Sequence, residues 1–241
     1  METITELLAL LTTRKCAETI LALDFASLHC YKLAVSKGLS VGIVGGAVMV
    51  KFPQIFNIIR SQSVAGLSLL SLILETLSIL ITLAYNFRLG NPFSTYGEGA
   101  FIALQNHIIM FLIFTFSKRY VGAFVSTVTT ALLVHSLLDK DIVSHSLINT
   151  LQLATIFISV GSKLPQIYNN FTAKSTGQLS IITTFLQFAG TVARIGTTLQ
   201  EVPDAKLIAG YVAASVLNGL ILAQIVLYSK KSKTEKIKKK Q

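Results

Sequence analysis

The chain has 241 residues, of which 52% are hydrophobic and only 13% charged, with a mean hydropathy of +0.65. Soluble domains carry about a quarter charged residues, so this composition excludes an ordinary soluble enzyme or binding module and points to a membrane. The formal net charge of +10 comes largely from the C-terminal tail and gives no reason to expect a nucleic-acid partner.

Residues 1–37 do not read as a cleavable signal. Glu2 and Glu6 stand where a positive n-region belongs, and the apolar stretches Leu7 to Leu11 and Ile20 to Leu23 are too short to span. An amphipathic, interfacial segment is expected there. Cys16 and Cys30, the two cysteines of the chain, both fall in it. In a lumenal segment they can pair as a disulfide; in a reduced setting they are small buried residues.

An apolar run of about 20 residues crosses the roughly 30 Å hydrocarbon core as a helix rising about 1.5 Å per residue. Seven such runs follow, at about 38–59, 67–87, 97–116, 120–138, 146–169, 179–199 and 207–228. Gly90-Asn91-Pro92, Lys118-Arg119, Asp139-Lys140-Asp141 and Glu201-Val202-Pro203-Asp204 punctuate them.

Two stretches are copies of one another: Lys51-Phe52-Pro53-Gln54-Ile55 and Lys163-Leu164-Pro165-Gln166-Ile167. The same displacement pairs Asn57 with Asn169, Ser63 with Ser175, Leu67-Ser68 with Leu179-Ser180 and Leu74 with Leu186. The duplication predicts an all-α membrane protein of seven transmembrane helices. A first triplet over 38–116 and a second over 146–228 are joined by a linker helix over 120–138, with a basic tail at 229–241. A single linker span makes the two triplets parallel repeats.

Lys and Arg in short loops set the orientation. Arg60, Lys118, Arg119, Lys174 and the basic tail fall on one side, which is expected to be cytosolic. The N-terminus is then lumenal, although Arg14, Lys15, Lys32 and Lys37 weigh against that placement.

Pro53 and Pro165 cannot donate a backbone hydrogen bond, so the carbonyls of Met49 and Gly161 lose their helical partners. Neighbouring helices, water or the amides of Gln54 and Gln166 must satisfy them. The two sites are either moving hinges or static kinks. Glu75 and Gln187 occupy equivalent depths, as do Asn106 and Asn218, and each pair can hydrogen-bond sugar hydroxyls or join helix to helix. Lys51, Lys163 and Arg194 are cations that can take a phosphate, with snorkelling anchors as the alternative for the lysines.

Enzymatic signals are poor. Asp139-Lys140-Asp141 has the Asp-x-Asp spacing of nucleotide-metal sites but sits in a tight loop, and His29, His107, His135 and His145 have no metal-ligand spacing. No cofactor is expected. The sequon Asn170-Phe171-Thr172 is placed on the cytosolic side, where it receives no glycan.

The repeated Pro-Gln motifs, with Ser63-Val64-Ala65-Gly66-Leu67-Ser68, Thr176-Gly177-Gln178-Leu179-Ser180, Ala193-Arg194-Ile195, Pro92-Phe93-Ser94 and Gly97-Glu98, resemble the PQ-loop family, and within it the members required for mannose-phosphate-dolichol utilization. That resemblance covers the chain from about Lys15 to the last helix. It implies the three-plus-one-plus-three plan shared with SWEET-type sugar carriers, in which the Pro-Gln helix swings and Asn106 and Asn218 stand where the carriers have pocket asparagines. It also implies an endoplasmic reticulum membrane protein serving N-glycan and GPI-anchor synthesis. Lys238 and Lys239 resemble a dilysine retrieval signal, with a basic tail held by anionic lipid as the alternative.

The resulting expectation is a protein that binds or delivers dolichol phosphate mannose across the bilayer, with membrane lipids as its surroundings and no enzymatic activity of its own. The alternatives are a non-transporting scaffold for lumenal glycosyltransferases and a carrier of small sugars or amino acids.

Overall fold

A computed structural model describes residues 5, 6, 9, 12–24, 28–64, 67–176 and 181–238. The described residues are helical apart from short connections. Helix α1 runs Arg14–Leu21, α2 Leu28–Val50, α3 Phe52–Ser61, α4 Leu69–Arg88, α5 Gly97–Phe116, α6 Tyr120–Leu138, α7 His145–Ala173, α8 Ile181–Glu201 and α9 Ala205–Lys238, with one 3-10 turn at Phe93–Thr95. Ala65, Gly66 and the Gly177 to Ser180 stretch of the repeated motifs lie outside the described residues, as does Lys239.

Among the described residues six stretches are long and apolar enough to cross a membrane: Leu28–Ser61, Leu69–Arg88, Gly97–Phe116, Tyr120–Leu138, His145–Ala173 and Ala205–Tyr228. The helix of the remaining predicted span, α8, falls short of that measure because Thr184, Gln187, Thr191, Arg194, Thr197, Thr198 and Glu201 interrupt its apolar character. Thr184, Arg194, Thr197 and Thr198 are buried within the protein, which is where polar residues of an intramembrane helix belong.

Two borders differ from the sequence expectation. Helix α2 begins at Leu28, so residues 28–37 continue the first span instead of closing an interfacial segment at 37. No Gly or Pro interrupts Leu28 to Lys37, and the charge of Lys37 is matched by a carboxylate described below. The first span is in turn two helices, α2 and α3, broken at Lys51, whereas its repeat counterpart α7 runs unbroken through Pro165.

The chain forms two compact units, Met1–Gln152 with Gln200–Val202, and Leu153–Leu199 with Pro203–Gln241. In the first, Thr13 caps α1 by accepting the Cys16 N–H at 3.2 Å, and a Cys16–Cys30 disulfide ties α1 to the start of α2. Helices α4 and α5 pack together with Leu80, Ile81, Ala84 and Tyr85 buried on the first and Ala103, Ile109, Met110 and Ile113 on the second, and Ile109, Met110 and Ile113 cluster with Ile58 and Leu72. Gly99 lets α4 approach closely: a Cβ there would lie 3.3 Å from Ile79 and Leu83. Arg88 ends α4 by donating to the carbonyls of Val143 at 2.7 Å and Leu137 at 3.3 Å. In the second unit, Gly219 of α9 similarly faces the Phe188 ring of α8, with a Cβ contact of 3.2 Å.

The duplication is visible in the caps. Helix α3 ends on Gln62 at φ 50°, and α7 on Lys174, its repeat equivalent, at φ 49°. Both chains therefore turn out of the helix through the left-handed region at the same repeat position. Val121, Phe124 and Phe157 are exposed by more than two thirds, an apolar exterior suited to acyl chains.

Candidate functional site

In the first unit, Pro53 stands in the first turn of α3, where a missing N–H is harmless. The break before it is held by Gln105 of α5. Its Oε1 accepts the Lys51 N–H at 2.9 Å, and its Nε2 donates to the carbonyls of Ala47 at 2.8 Å and Val48 at 2.9 Å. One buried amide thus satisfies three backbone groups that lipid cannot satisfy. Of the expected partners, a neighbouring helix, water or Gln54, it is the neighbouring helix that supplies the amide, and the carbonyls it takes are those of Ala47 and Val48 rather than Met49. In the second unit the repeat equivalent of Gln105 is Leu217, which has no polar group to offer, and α7 stays continuous with Pro165 inside it. Pro165 and Gln166 therefore lie within an unbroken helix, unlike Pro53 and Gln54.

The fixed backbone at Lys51 aims its side chain at Glu75 of α4, with Nζ to Oε2 at 2.7 Å. The lysine side chain is 15% exposed and the glutamate 45%. Asn106, the residue after the clamp, is fully buried at 0% exposure, and neither its Oδ1 nor its Nδ2 has a hydrogen-bond partner among the described residues. Its neighbour His107 places Nε2 3.2 Å from Thr127 Oγ1 of α6.

The second unit makes the same three positions into a different arrangement. Gln187 replaces the glutamate, and Lys163 instead donates to Asn218 Oδ1. Asn218, 2% exposed, passes its own Nδ2 to the Gln187 carbonyl at 3.3 Å. The expectation of equivalent environments for Glu75 and Gln187 is thus corrected: both side chains are exposed, but only the charged one captures its lysine. Arg194 is buried on α8 and belongs to neither constellation.

Two polar groupings escaped the sequence reading. Glu201, last residue of α8, has a side chain only 1% exposed. Its Oε2 accepts from Lys37 Nζ at 2.6 Å and Ser94 at 2.8 Å, and its Oε1 from Ser36 at 3.0 Å and Ser40 at 2.9 Å. The second grouping is Asn170 with Gln224: Nδ2 of the first donates to Oε1 of the second at 3.0 Å, and Gln224 Nε2 donates to the Ile167 carbonyl at 2.9 Å. The equivalents in the first unit are Ile58 and Leu112, which pack in an apolar cluster with Leu72, Ile109 and Met110. The duplication carries the signal for this polar-for-apolar exchange, since it aligns Asn170 with Ile58.

Asn170 is also the sequon residue, and its Nδ2 is buried and already donating. Glycan attachment needs that nitrogen accessible, so enzymatic deglycosylation of protein from a secretory-competent host is expected to leave its gel mobility unchanged.

A cavity of about 390 Å³ lies between α4, α5 and α6, lined by Ile73, Leu77, Met110, Phe114, Val125 and Leu133 among others. Of the four hydroxyls on its wall, Thr76, Ser126 and Thr130 donate to carbonyls of their own helices, and Thr129 is the fourth. The rest of the lining is apolar, whereas the lysine, glutamate and asparagine positions gather charged and amide groups, so polar chemistry is assigned to them.

A model described as the PQ loop repeat matches residues 35–95 and 147–207. The two matches stand at the same displacement that pairs Pro53 with Pro165. The chain is also similar to "Solute carrier family 66 member 3" of Homo sapiens, 30% identical over 187 residues that cover 78% of this chain and 91% of the relative. No solved structure matches. With two repeat copies, each carrying its own lysine, Pro-Gln and asparagine, this multi-pass membrane protein belongs to the PQ-loop repeat family.

Proposed function

We propose that this protein is a carrier for a sugar phosphate headgroup, with dolichol phosphate mannose as its substrate and the endoplasmic reticulum membrane as its place. The observation that carries this reading is the duplicated set of polar positions, Lys51, Glu75 and Asn106 in one unit and Lys163, Gln187 and Asn218 in the other, all but Gln187 on stretches long and apolar enough to cross a membrane. Polar groups at such depth are expensive to insert and mark substrate paths. The asparagines offer donor and acceptor to sugar hydroxyls, and the lysines offer charge to a phosphate. Movement is downhill, and the protein performs no covalent chemistry. Lys238 and Lys239 then serve retrieval from a cytosolic tail.

Purified protein in liposomes tests it. Transbilayer movement of a short-chain mannosylphosphoryl polyprenol is expected to exceed that in protein-free vesicles. Asn218→Ala is expected to slow that movement by roughly ten- to a hundredfold, the range that corresponds to a lost hydrogen bond to a charged group of about 1.5–3 kcal/mol. The word "solute carrier" in the relative's name favours a second reading, a carrier of a water-soluble solute. Uptake of labelled sugars or amino acids, without movement of the mannosyl lipid, would establish that one in its place. Movement of neither would leave the scaffold for glycosyltransferases as the better account.

A further inference from the structure

The two repeats hold the same lysine in two different positions, and the difference has one chemical cause. Where the α4 position is a carboxylate, Lys51 binds it; where the α8 position is the neutral amide Gln187, Lys163 binds the asparagine instead. The asparagine left over in the first repeat, Asn106, is wholly buried, and its amide is unpartnered among the described residues. A buried amide in that condition is unusual in proteins. We infer that Asn106 is a second seat for the Lys51 ammonium, taken up whenever Glu75 stops holding it.

Three features make the exchange possible. The Lys51 backbone N–H is held by Gln105, the residue before Asn106 in α5, so the lysine is tied to the helix that carries the asparagine. In the second repeat, from an unbroken helix, the Lys163 stem does reach the asparagine of this repeat position. A flexible four-carbon stem with a point charge suits two alternative acceptors. The inference deepens the carrier reading above, on which its consequence for binding rests. A headgroup that brings hydrogen-bond donors to Glu75, as a sugar ring edge does, releases the lysine to Asn106; in this first repeat Glu75 is then the group on the sugar, and Asn106 serves the lysine rather than a hydroxyl. The first repeat then takes on the arrangement of the second.

The test reads the lysine directly and needs no transport. Full-length protein in nanodiscs is labelled with a small amine-acylating reagent, and modification of Lys51 and Lys163 is quantified by mass spectrometry. In Glu75→Gln, which gives the first repeat the side chain of the second, Lys51 labelling is expected to fall by about fivefold or more as the ammonium moves onto a buried acceptor. In Glu75→Gln combined with Asn106→Leu it is expected to rise above wild type, because neither partner remains. The converse change, Gln187→Glu, is expected to raise Lys163 labelling as the lysine leaves buried Asn218 for an exposed carboxylate. If Glu75→Gln alone raises Lys51 labelling or leaves it unchanged, the lysine does not move to Asn106 and the inference is overturned. Failure of mannosyl lipid transport with these labelling changes intact would overturn the substrate and leave the exchange standing. A resolved structure of Glu75→Gln that places Lys51 on Asn106 would support it independently.

Discussion

Glu201→Ala is expected to destabilise the protein by about 3–5 kcal/mol, the range found when one member of a buried ion pair is removed. The magnitude follows from what is left behind. The Glu201 carboxylate accepts from Lys37, Ser36, Ser40 and Ser94, and its side chain is almost wholly shielded. Deleting it strands the Lys37 ammonium and removes the acceptor of three hydroxyls at once. An exposed pair would contribute only about 0–1 kcal/mol, so burial is what separates the two forecasts. Glu201→Gln keeps an acceptor oxygen for the serines but not the charge, and is expected to fall between alanine and wild type. Replacing both ends, as Lys37→Met with Glu201→Leu, is expected to recover much of the loss, because an apolar pair of similar volume needs no desolvation. Denaturant unfolding in detergent micelles measures all three. An alanine variant within about 1 kcal/mol of wild type would show that the carboxylate is hydrated and the network marginal.

This network also marks where reading the letters stops. The helices were legible because apolar length and breakers are local: the predicted runs 97–116 and 120–138 coincide with α5 and α6. The duplication was legible because Lys-x-Pro-Gln-Ile recurs without a gap, and it places Asn106 and Asn218 at buried positions in their own units. Lys37 and Glu201 are far apart in the chain and have no repeat relationship to each other, so nothing in their spacing announces a pair. Without that partner, the charge of Lys37 points to an interfacial segment; with it, the residue sits inside a long helix. Glu75 and Gln187 align, yet one formal charge redirects the neighbouring lysine. Symmetry of sequence position is inherited from the duplication; symmetry of contact must be rebuilt from side chains, and single substitutions undo it.

The Pro-Gln break gives the second large forecast. Pro53 and Pro165 are aligned, yet α2 and α3 are separate helices whereas α7 is continuous, so proline alone does not decide the outcome. The deciding difference is Gln105 against Leu217. A helix that opens at Lys51 exposes the Ala47 and Val48 carbonyls and the Lys51 N–H, and Gln105 satisfies all three. Gln105→Leu is therefore expected to destabilise the first unit by about 2–4 kcal/mol, since each buried group left without a partner costs roughly 1–3 kcal/mol and partial relaxation offsets the sum. Relaxation has an obvious direction, which is closure of α2 and α3 into one rod like α7. Amide hydrogen exchange distinguishes the two responses: if the break persists unsatisfied, protection at residues 47–51 falls, and if the rod closes, it rises. Leu217→Gln is the converse probe, offering a clamp to an unbroken helix that has no use for it, and its cost is expected to be the burial of an amide. A Gln105→Leu variant with unchanged stability and unchanged exchange at 47–51 would mean that the break is imposed by Pro53 itself, and the continuity of α7 through Pro165 would then have no explanation in the residue that faces it.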